Sequence, residues 1–343
     1  MTKRKSIDGF NILKILAALI VMFYHYQQYF NVPDRFFDFV DGPVNFHVTV
    51  EMFFMLSGFL TLHTARPDER PLPGLARKLL RYYPMAALAC ACALLFRSVR
   101  PAEDLGALWN LKALAGNFLL IFVGWPGFYM FGYNHVTWYL CVLTQCYLVY
   151  ALLLWLRRKL GARAEDGAYW LLVSGCVIVL VNVLERFQLL QRPSFRGLES
   201  FFLGTALCVV CRRVPGRRPW LALGLFAAAC ALMALWPAQL RRVQIFLLYP
   251  SLILLSVWTQ GLLPEKAGRV FGFFAMISFE AFLWHQPLIF FEQMLTRLTG
   301  FAIPHSDFTM LLFCAAVWAL AWVMYTCVEV PLNRRVRRLT AWW

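Results

Sequence analysis

The sequence predicts an all-α, polytopic integral membrane protein with about ten transmembrane helices and both termini cytoplasmic. Of its 343 residues, 61% are hydrophobic and 17% aromatic, and only 15% are charged, below the roughly one quarter usual in soluble domains. The mean hydropathy is +0.60. The apolar residues gather in runs that can cross a bilayer core of about 30 Å, which takes roughly 20 residues of helix.

Ten runs qualify, near 10 to 29, 47 to 65, 82 to 97, 135 to 156, 168 to 184, 197 to 211, 219 to 236, 243 to 260, 270 to 292 and 308 to 330. The connecting charges test this count, because cytoplasmic loops carry the excess of Lys and Arg. With the N-terminus inside, 22 of the 33 basic residues fall on the cytoplasmic side, among them Lys3, Arg4, Lys5, Arg157, Arg158, Lys159, Arg163, Arg212 and Arg213. Ten fall outside, including Arg35, Arg97, Arg100, Arg192 and Arg196, and Lys14 alone stays within a span. A further stretch, residues 111 to 131, is apolar but broken by Gly116, Gly124, Pro126 and Gly127. Were it to cross, the basic loops after it would all change sides. It therefore reads as re-entrant or interfacial on the outer side, and residues 1–343 read as one membrane domain.

The net charge of +15 comes in short clusters rather than a continuous basic face, so nucleic acid is not an expected partner. Most of the ten cysteines sit inside apolar runs as small hydrophobes. Cys208 and Cys211 have metal-like spacing, but no second pair completes a tetrahedral site, and no metal is expected. The first apolar run has full spanning length and no small-residue cleavage site, so it is expected to remain in the mature chain.

An ionisable residue in hydrocarbon costs several kcal/mol by most estimates, so such residues pair, face a wet cavity or serve chemistry. The first span carries two, Lys14 and His25. Eleven steps of about 100° place them on nearly the same helix face, roughly 16 Å apart along the axis. Snorkelling of Lys14 and an interhelical hydrogen bond for His25 explain the pair as well as function does. Glu51, near the same outer level, is placed to orient a histidine or to act as an ordinary interfacial carboxylate, while Ser57 and Gly58 allow close helix approach. Arg77 and Arg81, four apart, form either a phosphate clamp or simple positive-inside charge. His135, Trp138 and Tyr139 open the fourth span as an aromatic interface belt. Glu280 and His285, with Gln286, lie within the ninth span, and two ionisable groups in one span point to a functional role for at least one.

Together and in order, these residues resemble the membrane-bound acyltransferase-3 family, bacterial enzymes that O-acylate cell-surface polysaccharides and some small molecules. The likeness rests on Lys14 and His25, on Phe53, Phe54, Ser57, Gly58 and Phe59, and on Arg77, Arg81 and Pro84. It continues through Trp138 and Tyr139, through Leu283, His285 and Pro287, and ends at Glu329 and Pro331. The family usually has arginine where this chain has Lys14, which keeps the charge and loses the planar fork.

The resemblance implies an inner (plasma) membrane enzyme that takes an acyl group, acetyl first among them, from cytoplasmic acyl-CoA to a hydroxyl of a cell-surface or lipid-linked glycan. It needs no cofactor besides that co-substrate. Lys14, Arg77 and Arg81 would then hold acyl-CoA, and His25 would act as general base or be transiently acylated. Glu51 or Glu280 would orient the imidazole, His285 would bind acceptor or thioester oxygen, and His135, Trp138 and Tyr139 would line the acceptor site. The rival expectations are a membrane transporter of an organic anion and a non-catalytic partner subunit.

Overall fold

The structure, a computed structural model, describes residues 7–33, 35–42, 44–66, 69–99, 105–161, 167–214 and 216–339. Of the basic residues in the charge pattern, Lys3, Arg4, Lys5, Arg100 and Arg163 lie outside the described residues. The described chain is helical: α1 (Asp8–Phe30), α2 (Thr49–His63) entered through a 3-10 turn at Phe46–Val48, α3 (Pro71–Arg97), α4 (Leu105–Leu108), α5 (Leu111–Phe118), α6 (Trp138–Lys159) and α7 (Gly167–Arg186). Then follow α8 (Arg192–Arg213), α9 (Pro219–Leu235), α10 (Leu240–Val243), α11 (Tyr249–Trp258), α12 (Glu265–Thr299), α13 (Asp307–Met324) and α14 (Val330–Leu339).

Nine helical segments among the described residues are long and apolar enough to cross a membrane, and the seventh expected span, α9, is apolar with 17 residues. Two boundaries move. The third span starts at Pro71, not near 82, because a proline at the first helical turn gives up no hydrogen bond. The ninth extends over Glu265–Thr299, with polar turns projecting beyond the apolar run at both ends.

Contacts between helices fix their relative directions. Phe10 meets Phe59 and Tyr24 meets His47, so α2 runs against α1. Asp8 lies by Gly268 and His25 by His285, so α12 runs with α1. Tyr82 bonds Thr144 and Cys90 meets Thr137, so α6 opposes α3. Asn182 bonds Glu199 while Gly167 approaches Arg213, so α7 opposes α8. Asp8 and Gln260 bond each other reciprocally at 2.8 and 3.1 Å, tying the start of α1 to the end of α11.

The alternation leaves residues 111 to 131 on one side. Arg97, at the end of α3, donates to the Tyr133 carbonyl just before α6, so the chain leaves and re-enters at the same end of the bundle. The eight residues of α5 are too few to cross. After α5 the chain dips inward: the Gly124 carbonyl accepts from Gln145, two turns inside α6, and the Gly124 N–H donates to Gln191. The returning limb closes on the entering one through Met130 N to Phe122 O at 3.0 Å. Backbone that leaves the helix at this depth needs such partners, because lipid supplies none.

The tightest seam joins α2 and α8. A Cβ at Gly58 would stand 1.8 Å from the Phe201 carbonyl oxygen, and one at Gly204 would stand 1.9 Å from that of Met55. Each helix thus presents its glycine to the other's backbone, the close approach that small residues permit. The predicted role of Ser57 and Gly58 acquires a partner here: the Ser57 hydroxyl lies 2.9 Å from that of Tyr139 on α6. Gly58→Ala should therefore force the two backbones apart and lower stability by about 3 kcal/mol, the upper end for overpacking. Gly175→Ala, where an added Cβ meets nothing within 4 Å, should leave the thermal unfolding midpoint in detergent unchanged or raise it.

Candidate functional site

Polar chemistry gathers on one face of α1 at two levels. At the histidine end, the ring of His25 faces that of His285 with centroids 5.3 Å apart and planes 26° from parallel. Tyr24 and Tyr29 flank His25 with centroids at 5.2 and 6.4 Å, and Tyr24 in turn meets His47. His135 stands exposed in the turn before α6, within electrostatic reach of both His25 and His47. His25 Nδ1 lies 3.0 Å from the amide oxygen of Gln28 one turn on. That oxygen can only accept, so Nδ1 carries the proton and Nε2 keeps its lone pair.

His285 is fully buried, and neither ring nitrogen has a hydrogen bond of good geometry, although the backbone of Ala281 and Phe282 is within reach. Its position follows from its neighbours. Leu283 O accepts from the Asn134 amide at 2.9 Å, and Gln286 Oε1 accepts from the Val136 N–H at 3.1 Å. The Gln286 amide also reaches Tyr29 on α1 at 3.4 Å. Arg97 lies between the rings of Phe131 and Phe290, at 4.1 and 4.4 Å from their centroids.

The outer loop after α1 is held over this end. Gln27 donates to Phe37 O and accepts from Phe39 N, both at 2.8 Å, gripping the loop backbone with one amide. The loop's Asp38 carboxyl is held below its usual range by the N–H of Asp41 first, then by that of Val40 and by Arg35.

The other level is basic. Lys14 is close enough to Arg81 for the two charges to repel, and among the described residues Lys14 has no ion-pair partner. Arg77 and Arg81 are exposed, as a phosphate clamp requires. Lys78 between them points elsewhere, over the rings of Tyr147 and Tyr150 at 5.2 and 5.7 Å. Between the two levels Glu280 accepts from the Trp284 indole at 2.8 Å and stands beside Glu329, which itself faces Arg81. Pro84 lies inside α3 just beyond Arg81.

Over residues 7–328 the sequence matches the acyltransferase-3 family, described as an acyltransferase domain. The chain belongs to the acyltransferase-3 family. Comparison with curated proteins and with solved structures gives no match. Membership makes the protein a membrane acyltransferase, and of the residues that carried the resemblance Lys14 and Arg81 share one level of α1 and His25 and His285 the other.

For this family member the structure corrects one expectation. Glu51 does not turn to a histidine: both of its oxygens accept from Arg196, at 2.6 and 2.8 Å, and the pair is buried. Arg241 extends the set, 3.9 Å from Glu51 and 3.0 Å from the buried Glu199. Two acids and two arginines compensate one another where α2, α8 and α10 meet. Trp138 lies beneath the Arg196 guanidinium at 5.0 Å, and Tyr139 is buried with its hydroxyl on Ser57, so these rings serve helix contacts as well as the outer end.

Sequence reading counted Arg196 only as an outer basic residue and missed its pairing and that of Glu199, although their three-residue spacing at the start of an apolar run was a visible signal. Gln28 and Asn134 gave no such signal. Breaking a buried pair leaves an uncompensated charge and costs about 3 to 5 kcal/mol. Arg196→Met should therefore lower the thermal unfolding midpoint sharply. The double change Glu51→Gln with Arg196→Met should recover most of the loss in the same melting experiment.

Proposed function

We propose that the protein is an O-acyltransferase that moves an acyl group, acetyl first among candidates, from acyl-CoA on the cytoplasmic side to a hydroxyl of a cell-surface or lipid-linked glycan at the outer side. The observation that carries this reading is His25: a histidine with its tautomer set by Gln28, facing His285, on the same face of α1 as Lys14, which stands beside Arg81. The basic level suits the phosphates of the coenzyme, which Lys14, Arg77 and Arg81 would hold as point charge and guanidinium donors. In the sequence most of the basic residues fall in the segments that join helices at this end, and the positive-inside rule supports a cytoplasmic position for it.

The chemistry follows from the tautomer. His25 Nε2 takes the proton of the acceptor hydroxyl as its oxygen attacks the thioester carbonyl carbon. The tetrahedral intermediate collapses, the C–S bond breaks and the departing thiolate takes up the proton from the imidazolium. An ester and the free thiol of CoA result. Gln28 stabilises the protonated ring through the Nδ1–H that it already accepts. His285, buried and lacking a well-formed partner, is placed to donate to the carbonyl oxygen as charge develops there.

Reconstituted in lipid nanodiscs with acetyl-CoA or succinyl-CoA and a lipid-linked glycan extract, wild-type protein should consume thioester and add the acyl mass to a glycan. His25→Ala should abolish turnover while melting as wild type does, and transfer at the wild-type rate in that variant would sink the proposal. Gln28→Ala should reduce kcat about tenfold, the loss expected for one charge-assisted hydrogen bond. Arg81→Gln should raise the KM for acyl-CoA by at least about tenfold with a smaller change in kcat, as removal of a binding contact does.

A further inference from the structure

The proline of α12 and the asparagine before α6 make a matched pair. Pro287 has no N–H, so the carbonyl four residues earlier, that of Leu283, has no helical partner. Buried in a membrane bundle, a carbonyl left in this way needs a donor from elsewhere. Asn134 supplies it: its Nδ2 lies 2.9 Å from Leu283 O, and Asn134 itself is fully buried. The orientation of the amide is dictated, because a carbonyl only accepts and the nitrogen must face it. One residue beyond His285, Gln286 Oε1 receives the Val136 N–H. The two bonds fall on either side of His285 in sequence and pin α12 to the turn that begins α6.

We propose that Asn134 is a positioning residue for His285. By occupying the carbonyl that Pro287 frees, it holds α12 in the rotation and depth at which the His285 ring faces His25. This deepens the acyltransferase reading and rests on it for its kinetic consequence, but not for its structural one. In this arrangement the leucine, histidine and proline of the motif have distinct duties: Pro287 frees an acceptor, Leu283 presents it, and His285 is aimed as a result. Asn134 is the partner that the motif requires and does not contain.

The test uses the full chain in nanodiscs, labelled with 15N-histidine. Each of the six histidine ring signals is assigned by single substitution. Asn134→Ala should shift and broaden the signal of His285 and, through the facing ring, that of His25, while His63 at the opposite end stays unchanged. With acyl-CoA and acceptor present, the same variant should lose kcat by about tenfold, with the KM for acyl-CoA held within about twofold, since the donor's binding groups are untouched. Pro287→Ala returns an N–H to the Leu283 carbonyl, so in that background Asn134→Ala should change kcat by less than about twofold. Asn134→Leu, which fills a similar volume but has no donor, should reproduce the Asn134→Ala ring shifts.

An unaltered His285 signal in Asn134→Ala, or an equal effect in both proline backgrounds, would overturn the proposal. Should Asn134→Ala alone fail to fold, the double variant decides: it folds with the Pro287→Ala ring signals if the reading is right, and its failure to fold would also overturn it. Absence of turnover in wild type would remove the acyltransferase reading, while the ring signals still judge the positioning role.

Discussion

Hydrocarbon offers no hydrogen bonds, and the layout of this bundle follows from that constraint. Each polar group placed at depth has to be met from inside the protein, and the partners are brought by helices distant in sequence. Glu51 is met by Arg196, Glu199 by Arg241 and Asn182, and Leu283 O by Asn134. These contacts set which helices stand side by side and at what height. Apolar packing then fills around them, because Leu and Phe side chains gain little from facing one another rather than lipid. The Gly58 and Gly204 seam adds an apolar contact to the same two helices that Glu51 and Arg196 join: there, backbone approaches backbone and dispersion contributes to the packing.

Two kinds of charge are thereby separated. At the junction of α2, α8 and α10, acids and bases cancel within the protein. Along α1 the balance differs: Lys14 faces another cation, and across from His25, among the described residues, neither ring nitrogen of His285 has a hydrogen bond of good geometry. The fold thus satisfies Glu51 and Glu199 fully while it leaves Lys14 beside a second cation. Glu51 lies in the compensated set, bonded to Arg196 rather than to the histidine that was one of its two expected roles.

Much of this was legible in the chain itself. Most of the expected spans appear in hydropathy, because span length is imposed by the bilayer: nine described helices are long and apolar enough to cross, and α9 is an apolar helix of 17 residues. The refusal of residues 111 to 131 to cross follows from counting arginines, because loop charge records sidedness. The shared face of Lys14 and His25 follows from helix geometry, since both lie in one unbroken element. The illegible part is contact between elements. Arg196 lies 145 positions from Glu51 and Asn134 lies 149 from Leu283, and no periodicity within one helix reports what another will bring to it. Gln28 was missed for a different reason: an exposed glutamine at the outer end of a span has no signature until the histidine one turn away is known to point at it.

The unbroken course of α1 has a consequence of its own. Between Lys14 and His25 the helix contains neither proline nor glycine, and nothing in that stretch lets it bend or slip. Its eleven residues of rise, roughly 16 Å, act as a gauge bar. A molecule that engages both ends at once has to possess that reach, and a shorter carrier presenting the same reactive group would meet one end or the other. Length would then be a criterion of selection, written into the backbone, before any pocket judges shape.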